Sequence, residues 1–330
     1  MSRNLRSVSR RTMLSYVAAP ALALPAAAAW AWPDKQINMV LGYAAGGSVD
    51  AVARLIAPAL SNRLGQSIVI ENLGGVGGAL GATRVARAAP DAHTLMLGST
   101  SEVCIAWAVN PNLKYNGLTD LAPVGNIASS GLVLVGNKGI PRQTTPELLQ
   151  YVKSNPGKVS LATVGVGTPH HLMLEYINRM TGTDILHVPY RSAASITTDV
   201  ISGRVSLSLL SVTTALPFIE SGQLHAFAVT SKLEDPALPG VPPLSRVAGL
   251  KDAVFELFYG MFAPANTPQA LLEKLNTELN AILKTPDIQQ ALLKQGIVAS
   301  GGSIHQFKKQ VRDDSEKYQQ IIKSAGITLS

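Results

Sequence analysis

The chain has a single cysteine, Cys104, among 330 residues. An internal disulfide is therefore impossible, and neither a disulfide framework nor a cysteine-based zinc site can be built. Aromatic residues make up 5% of the chain, too few for the stacking platforms that hold single-stranded nucleic acid. Charged residues are only 15%, and no dense Lys/Arg run follows the N-terminal segment, so a nucleic-acid partner is not expected. No G-x-S-x-G elbow occurs and no Ser-His-Asp order can be singled out. Beyond residue 31 no segment approaches the roughly 20 apolar residues of a membrane span. What remains is a chain with 46% hydrophobic residues, enough to fill the cores of two domains of about 100–200 residues each.

The first 31 residues read as an export signal. Ser9-Arg10-Arg11-Thr12-Met13-Leu14 precedes an apolar stretch from Val17 to Ala29, and Ala29-Trp30-Ala31 offers the small-x-small pattern of a signal-peptidase site. Pro20 and Pro25 interrupt a stretch already too short to span a bilayer. The paired arginines fit a twin-arginine signal; a general secretory signal that happens to contain two arginines is the alternative. This segment holds four arginines and no acid, so without it 24 basic face 21 acidic side chains and the formal charge falls from +7 to +3. The mature protein is expected to be soluble, monomeric and periplasmic.

From Pro33 the pattern alternates strand and helix. Ile37–Leu41 is an apolar strand, and Val49, Val52, Ala53, Ile56, Leu60 and Leu64 recur at helical spacing, with Pro58 expected to kink the helix and Gly65 to end it. Strands follow at Ser67–Ile70 and Thr94–Leu97 around a helix at 79–88. This βαβ order implies a parallel sheet covered on both faces. A second series begins with a strand at Leu132–Val135. Thr145-Pro146 and Thr168-Pro169 each open a helix with a capping residue before proline, and strands fall at Val159–Ala162, Ile185–Val188, Val205–Leu210 and Ala226–Val229. The tail is helical: one helix opens at Thr267-Pro268 and is closed by Pro286. Another is opened by a Ser303/Gln306 capping box and ended by Gly326. Helices without their own sheet must pack on an earlier domain. The expected partition is therefore a discontinuous first lobe, 32–133 with 259–330, and a second lobe, 134–258.

Between these elements run Trp32-Pro33-Asp34-Lys35, Gly46-Gly47-Ser48-Val49-Asp50, Val69-Ile70-Glu71-Asn72 with Gly77-Gly78, and Ala89-Pro90-Asp91. The second half carries Asn155-Pro156-Gly157-Lys158, Gly165-Val166-Gly167-Thr168, His171-Leu172, His187-Val188-Pro189-Tyr190 and Ala228-Val229-Thr230-Ser231. In this order and spacing, over nearly all of residues 32–330, the chain resembles the Bug (TctC) family, the extracytoplasmic receptors of tripartite tricarboxylate transporters. The resemblance implies an α/β, bilobal periplasmic-binding-protein fold (type II-like) with two crossing strands near residues 124–135 and 258–263. It also implies a carboxylate held in the interlobe cleft and delivered to membrane permease subunits. Presentation of the bound carboxylate to a signalling kinase is the alternative, and an enzyme using the same cleft a remote one.

Gly46-Gly47-Ser48 joins a strand to a helix, where backbone N–H groups and the helix dipole can hold a carboxylate without a basic side chain; Ser48 could equally be a helix cap. Asp50 would repel an anion and reads as a structural residue. Tyr43, Ala44 and Ala45 lead into that loop, and Ser99 and Thr100 close the third strand; all five are candidate ligand contacts. In the second lobe Gly165, Val166, Gly167 and Thr168 repeat the logic, with Thr168 either capping or turning to the ligand. Tyr190 and Arg191 form a third loop. Family members often have Lys-Gly where this chain has Arg191-Ser192, and an arginine can hold a carboxylate bidentately. Family members also often carry an acid where Leu210 stands. If it faces the cleft, Leu210 favours a dicarboxylate with an apolar aliphatic or aromatic body; if it faces the core it says nothing about the ligand. Adjacent His170 and His171 point about 100° apart on a helix and read as structural. Gly74–Gly81 lacks the G-x-G-x-x-G spacing of a dinucleotide loop. No catalytic residue, metal or cofactor is expected.

The export reading predicts that protein recovered from the periplasm begins at Trp32, which intact-mass measurement will check; retention of residues 1–31 would contradict it. Replacing Arg10 and Arg11 by Lys should block export if the twin-arginine route is used.

Overall fold

The computed structural model describes residues 32–140, 143–190 and 192–325. The export segment, Arg191 and the helix-ending Gly326 lie outside the described residues. The first series is β1 (Ile37–Leu41), α1 (Ser48–Leu64), β2 (Ile68–Asn72), α2 (Ala79–Ala86), β3 (Thr94–Ser99) and α3 (Ala106–Val109). The long β4 (Leu121–Asn137) leads to α4 (Thr145–Ser154), β5 (Ser160–Thr163), α5 (Pro169–Thr181), β6 (Leu186–Pro189), α6 (Ala193–Ile201), β7 (Leu207–Ser211), α7 (Val212–Glu220) and β8 (Leu224–Val229). The chain returns through β9 (Glu256–Pro264) to α8 (Gln269–Leu283), α9 (Pro286–Leu293), β10 (Val298–Ala299) and α10 (Ile304–Ala325).

Strand and helix patterning is realised, with differences that have physical causes. The sheets are mixed rather than parallel. β1 pairs in parallel with β2 and β3, and β5 with β6 and β7. By contrast β9 runs antiparallel to β3 and β4, and β4 antiparallel to β7, β8 and β10. A strand that leaves one sheet for the other, and the one that returns, must run against their neighbours. The strand expected at Leu132–Val135 is only the end of the 17-residue β4, because Gly125, Asn126 and Ser129–Gly131 hide its apolar pattern. Thr144, not Thr145, caps α4 in a box with Glu147, and the Thr145 hydroxyl donates to Phe227 O at 3.0 Å. Pro286 opens α9 rather than closing α8. α1 continues past Pro58 to end at left-handed Gly65, whose N–H reaches Ser61 O. The Ser303/Gln306 box is present, with Gln306 N–H donating to Ser303 Oγ at 3.2 Å and Ser303 N–H to Gln306 Oε1 at 2.9 Å.

We propose the two-lobe partition expected from the sequence, and the register of β4 supports it. Residues 121–131 of β4 pair with β9 beside β3, whereas residues 132–136 pair with β7 and residues 133–137 with β8. At the change of partners, the fully buried Thr230 accepts Leu132 N–H at 2.8 Å and donates to Phe255 O at 2.5 Å. One hydroxyl thus joins the outgoing strand to the segment that leads back into β9. The tail helices cover the first lobe, with one addition. Phe307 of α10 packs on Phe258 and Phe262, while Tyr318 and Lys317, two to three turns further on, sit against Phe255 and α10 reaches α5. One apolar core therefore runs behind both lobes.

The glycine-rich segment after β2 is explained by close packing. A Cβ on Gly42 would lie 2.6 Å from Gly78 O, and one on Gly81 would lie 2.8 Å from Gly42 Cα. The obstacles are backbone atoms, which cannot rotate away. Gly81→Ala should therefore destabilise the fold by about 1–3 kcal/mol, read by chemical or thermal unfolding; an unchanged midpoint would contradict this packing.

Candidate functional site

The strands deliver their loops to one place. Ser99, the last residue of β3, pairs with Tyr259, and Tyr259 pairs with Ala128 of β4. Ser211, the last residue of β7, pairs with Leu132 of the same strand. The C-terminal ends of the two parallel strand sets thus meet β4 from opposite lobes within a few residues. Helices α1, α5, α6 and α7 follow such strand ends, so their N-termini open toward the junction.

Three of these four helices are capped by a side chain. Thr168 accepts His171 N–H in α5, Ser192 accepts Ser195 N–H in α6, and Ser211 accepts Thr214 N–H in α7. α1 begins at Ser48 with Gly47 at the cap position and no side-chain cap, so Ser48 is not the cap that one reading of the sequence allowed. The N–H groups of Ser48, Val49 and Asp50 have no partner within the helix. Ala44, Ala45 and Gly46 before them are exposed.

Asp50 shapes this loop. Its Oδ2 accepts Gly46 N–H at 3.0 Å and Arg54 Nε at 2.8 Å, and its Oδ1 accepts Asn72 Nδ2 at 3.2 Å. Burial works to raise the Asp50 carboxyl, but hydrogen bonds from Arg54, Gly46 and Asn72 outweigh it and hold it below the ordinary carboxylate value. Gly46 therefore contributes conformation, at φ 89°, while its N–H is already engaged. Tyr43 turns inward: its hydroxyl donates to Glu102 Oε2 at 2.9 Å.

Glu102, which the sequence reading missed, sits in a π-turn at Ser101–Ile105 and is wholly buried. Its carboxylate also accepts Ser99 N–H at 2.6 Å and Ser99 Oγ at 2.7 Å. Burial pushes it up to about 7 against the hydrogen bonds from Ser99 and Tyr43. Ser99 is thus engaged behind the loop. Thr100 is fully buried with its hydroxyl accepting Phe258 N–H at 3.0 Å, so these two side chains belong to the scaffold rather than to a ligand surface. An acid in a helical stretch carries no sequence signal of burial; only its spacing of three from Ser99 hints at the contact.

In the second lobe, backbone groups of the Gly165–Thr168 loop are held from within. Gly165 N–H donates to Thr163 Oγ1 at 3.2 Å, Thr168 Oγ1 to Gly165 O at 2.8 Å, and Gly167 N–H to His171 Nδ1 at 3.2 Å. His171 stacks on His187 at 4.1 Å, and His187 Nε2 lies 2.6 Å from Thr163 Oγ1. Accepting at Nδ1 places the His171 proton on Nε2, which faces Glu175 at 3.4 Å. Burial pulls His187 and His170 down to about 4, and lowers His171. Val166 alone in this loop presents an exposed apolar side chain, at 38%. The Tyr190 hydroxyl donates to Asp199 at 2.7 Å and its ring packs on the second-lobe core, so that side chain supports the end of β6 rather than a ligand. Leu210 is corrected: it is 1% exposed and packs with Val133, Val135, Ile196 and Val212. On β7 the alternation turns it into the core, so it carries no information on the ligand.

Two α/β lobes hinged on crossing strands, with helix N-termini facing the junction, define a periplasmic-binding-protein fold. Residues 52–327 match the model of the tripartite tricarboxylate transporter family receptor, and the chain belongs to this family. A relative from the tcbD-tcbE intergenic region of Pseudomonas sp. strain P51 is 34% identical over 292 residues, covering 88% of this chain and 87% of the relative. Among solved structures, a Rhodopseudomonas palustris protein with adipate is 30% identical with a TM-score of 0.84, covering 90% of this chain and 99% of its own. MatC of the same species, with bound malate, is 30% identical with a TM-score of 0.81, covering 88% and 100%.

The buried titratable groups act in opposite senses. The histidines stay neutral in the fold down to lower pH than in the unfolded chain, so their stability is present at neutral pH and lost as pH falls from about 6.5 toward about 4. Glu102 keeps a proton in the fold that the unfolded chain loses, so its contribution is full below about 4.5 and lost as pH rises to about 7. Glu102→Gln should therefore gain stability relative to the wild type between pH 5 and pH 8, by up to about 3 kcal/mol. Denaturant titrations at both pH values check this, and a pH-independent difference would contradict it.

Proposed function

We propose that this protein is an exported periplasmic receptor that binds a dicarboxylate between its lobes, without chemistry, and delivers it to the permease subunits of a tripartite tricarboxylate transporter. The observation that carries the reading is the uncapped N-terminus of α1 beside three capped ones at the same junction. Free N–H groups and the positive dipole end there favour an anion, by up to about 2 kcal/mol in a partly buried setting. One carboxylate sits on the N–H groups of Ser48, Val49 and Asp50. The second falls to the other lobe, where Arg191 is the candidate clamp, with Val166 beside the ligand body.

The adipate and malate bound by the two structural relatives support a diacid. An ammonium group finds little welcome at the α1 loop, because the Asp50 carboxylate is already engaged by Gly46, Arg54 and Asn72; an unpaired buried charge costs several kcal/mol. Exposed Ala44, Ala45 and Val166 suit an apolar spacer, aliphatic or aromatic.

Calorimetry with adipate, terephthalate, citrate and aspartate tests the reading. At least one apolar-bodied diacid should bind more tightly than citrate and aspartate, and tighter binding of either of these than of both would overturn the preference. Arg191→Ala should weaken diacids more than the matching monoacids; equal loss would remove Arg191 from the site.

A further inference from the structure

The floor of the junction holds a buried hydroxyl without a well-formed hydrogen bond. Tyr259 lies on β9, one of the two crossing strands, and is 1% exposed. Its ring packs in the first-lobe core among Val49, Val52 and Ala128, on the side of the sheet that α1 covers. Its hydroxyl is buried and makes no hydrogen bond of full geometry. The hydroxyls of Ser48, the first residue of α1, and Ser130 of β4 come close enough to interact with it and pull its phenol down against burial. The Ser130 hydroxyl spends its proton on Gly131 O or Gly296 O, each 3.1 Å away, which leaves it only lone pairs to offer Tyr259. Gly296 in turn abuts Val212 and Thr213 at the start of α7. Thr213, from the second lobe, carries another buried hydroxyl oxygen without a partner.

Buried hydroxyls are nearly always hydrogen-bonded, and leaving one unmet costs about 1–3 kcal/mol. A binding protein can carry that cost in its free form if the ligand relieves it. Burial pushes the Tyr259 phenol up to about 12, so at neutral pH it holds its proton and can only donate to an anion.

We propose that the Tyr259 hydroxyl donates directly to the ligand carboxylate seated on the first N–H groups of α1. The inference rests on the reading of that helix start as the carboxylate site. It adds a side-chain donor from the crossing strand to a site otherwise built of backbone, and ties ligand capture to the strand on which the lobes hinge.

The test is Tyr259→Phe, which removes one oxygen and keeps the ring. Wild type and variant are compared by calorimetry with the tightest-binding member of adipate, terephthalate, malate and citrate. The free variant should melt at the same temperature as the wild type or higher, because an unmet polar group is gone. Its affinity should fall roughly 10- to 100-fold, the range for a hydrogen bond to a charged group, and its ligand-induced rise in melting temperature should shrink. Unchanged affinity, with or without a loss of stability in the free protein, would overturn the proposal and leave the carboxylate site standing. Failure of the wild type to bind any of the four would overturn the functional reading, and this inference with it.

Discussion

The hydrogen-bond ladder of β4 changes partners between Gly131 and Leu132, and the geometry of the junction depends on it. Up to that point the strand is edged by β9; beyond it, β7 and β8 take over. A strand cannot leave buried N–H and C=O groups unmet while it switches. The Thr230 hydroxyl resolves this by accepting Leu132 N–H and donating to Phe255 O. Because Ser99 and Ser211 end their strands on either side of the switch, two sets of helix N-termini are brought face to face. Neither lobe alone could offer two opposed sets of helix N-termini.

The same arrangement limits how the lobes can move. On the α10 side the apolar core is continuous, with Phe307 in the first lobe and Tyr318 against Phe255 nearer the second. Opening on that side would expose aromatic surface, at about 25 cal/mol per Å². Elsewhere the lobes meet where Gly296 abuts the Val212 side chain and the Thr213 backbone at the start of α7. A hinge motion that spared this aromatic core would open the side of the helix starts and keep α10 as its spine.

Much of the architecture was legible because short apolar strands and 3.6-residue helical periodicity are local signals. The Ser303/Gln306 box and the left-handed Gly65 were read from residue type and position alone. The glycine–serine loop before α1 was legible for the same reason, since glycine followed by a helix leaves N–H groups free. What could not be read depends on orientation or distance along the chain. β4 was half hidden because its first part alternates small and polar residues that are buried only by β9. Leu210 had two possible faces, and only the register with Val133 decided between them. Ser99 and Thr100 stood at a strand end typical of ligand loops, yet Glu102 and Phe258 take their hydrogen-bonding capacity. Tyr259 is one aromatic in the apolar run of β9; that its hydroxyl lacks a well-formed hydrogen bond is a fact about the volume around it.

The central claim is that the ligand carboxylate lies on the uncapped start of α1. Amide chemical shifts of ¹⁵N-labelled protein, followed as adipate is titrated in, test it most directly. The account predicts that the largest shifts fall on Ser48, Val49 and Asp50, with downfield movement of the proton as each N–H gains an anionic acceptor. Largest shifts at the capped starts of α5, α6 or α7, with the amides of residues 48–50 unmoved, would contradict it.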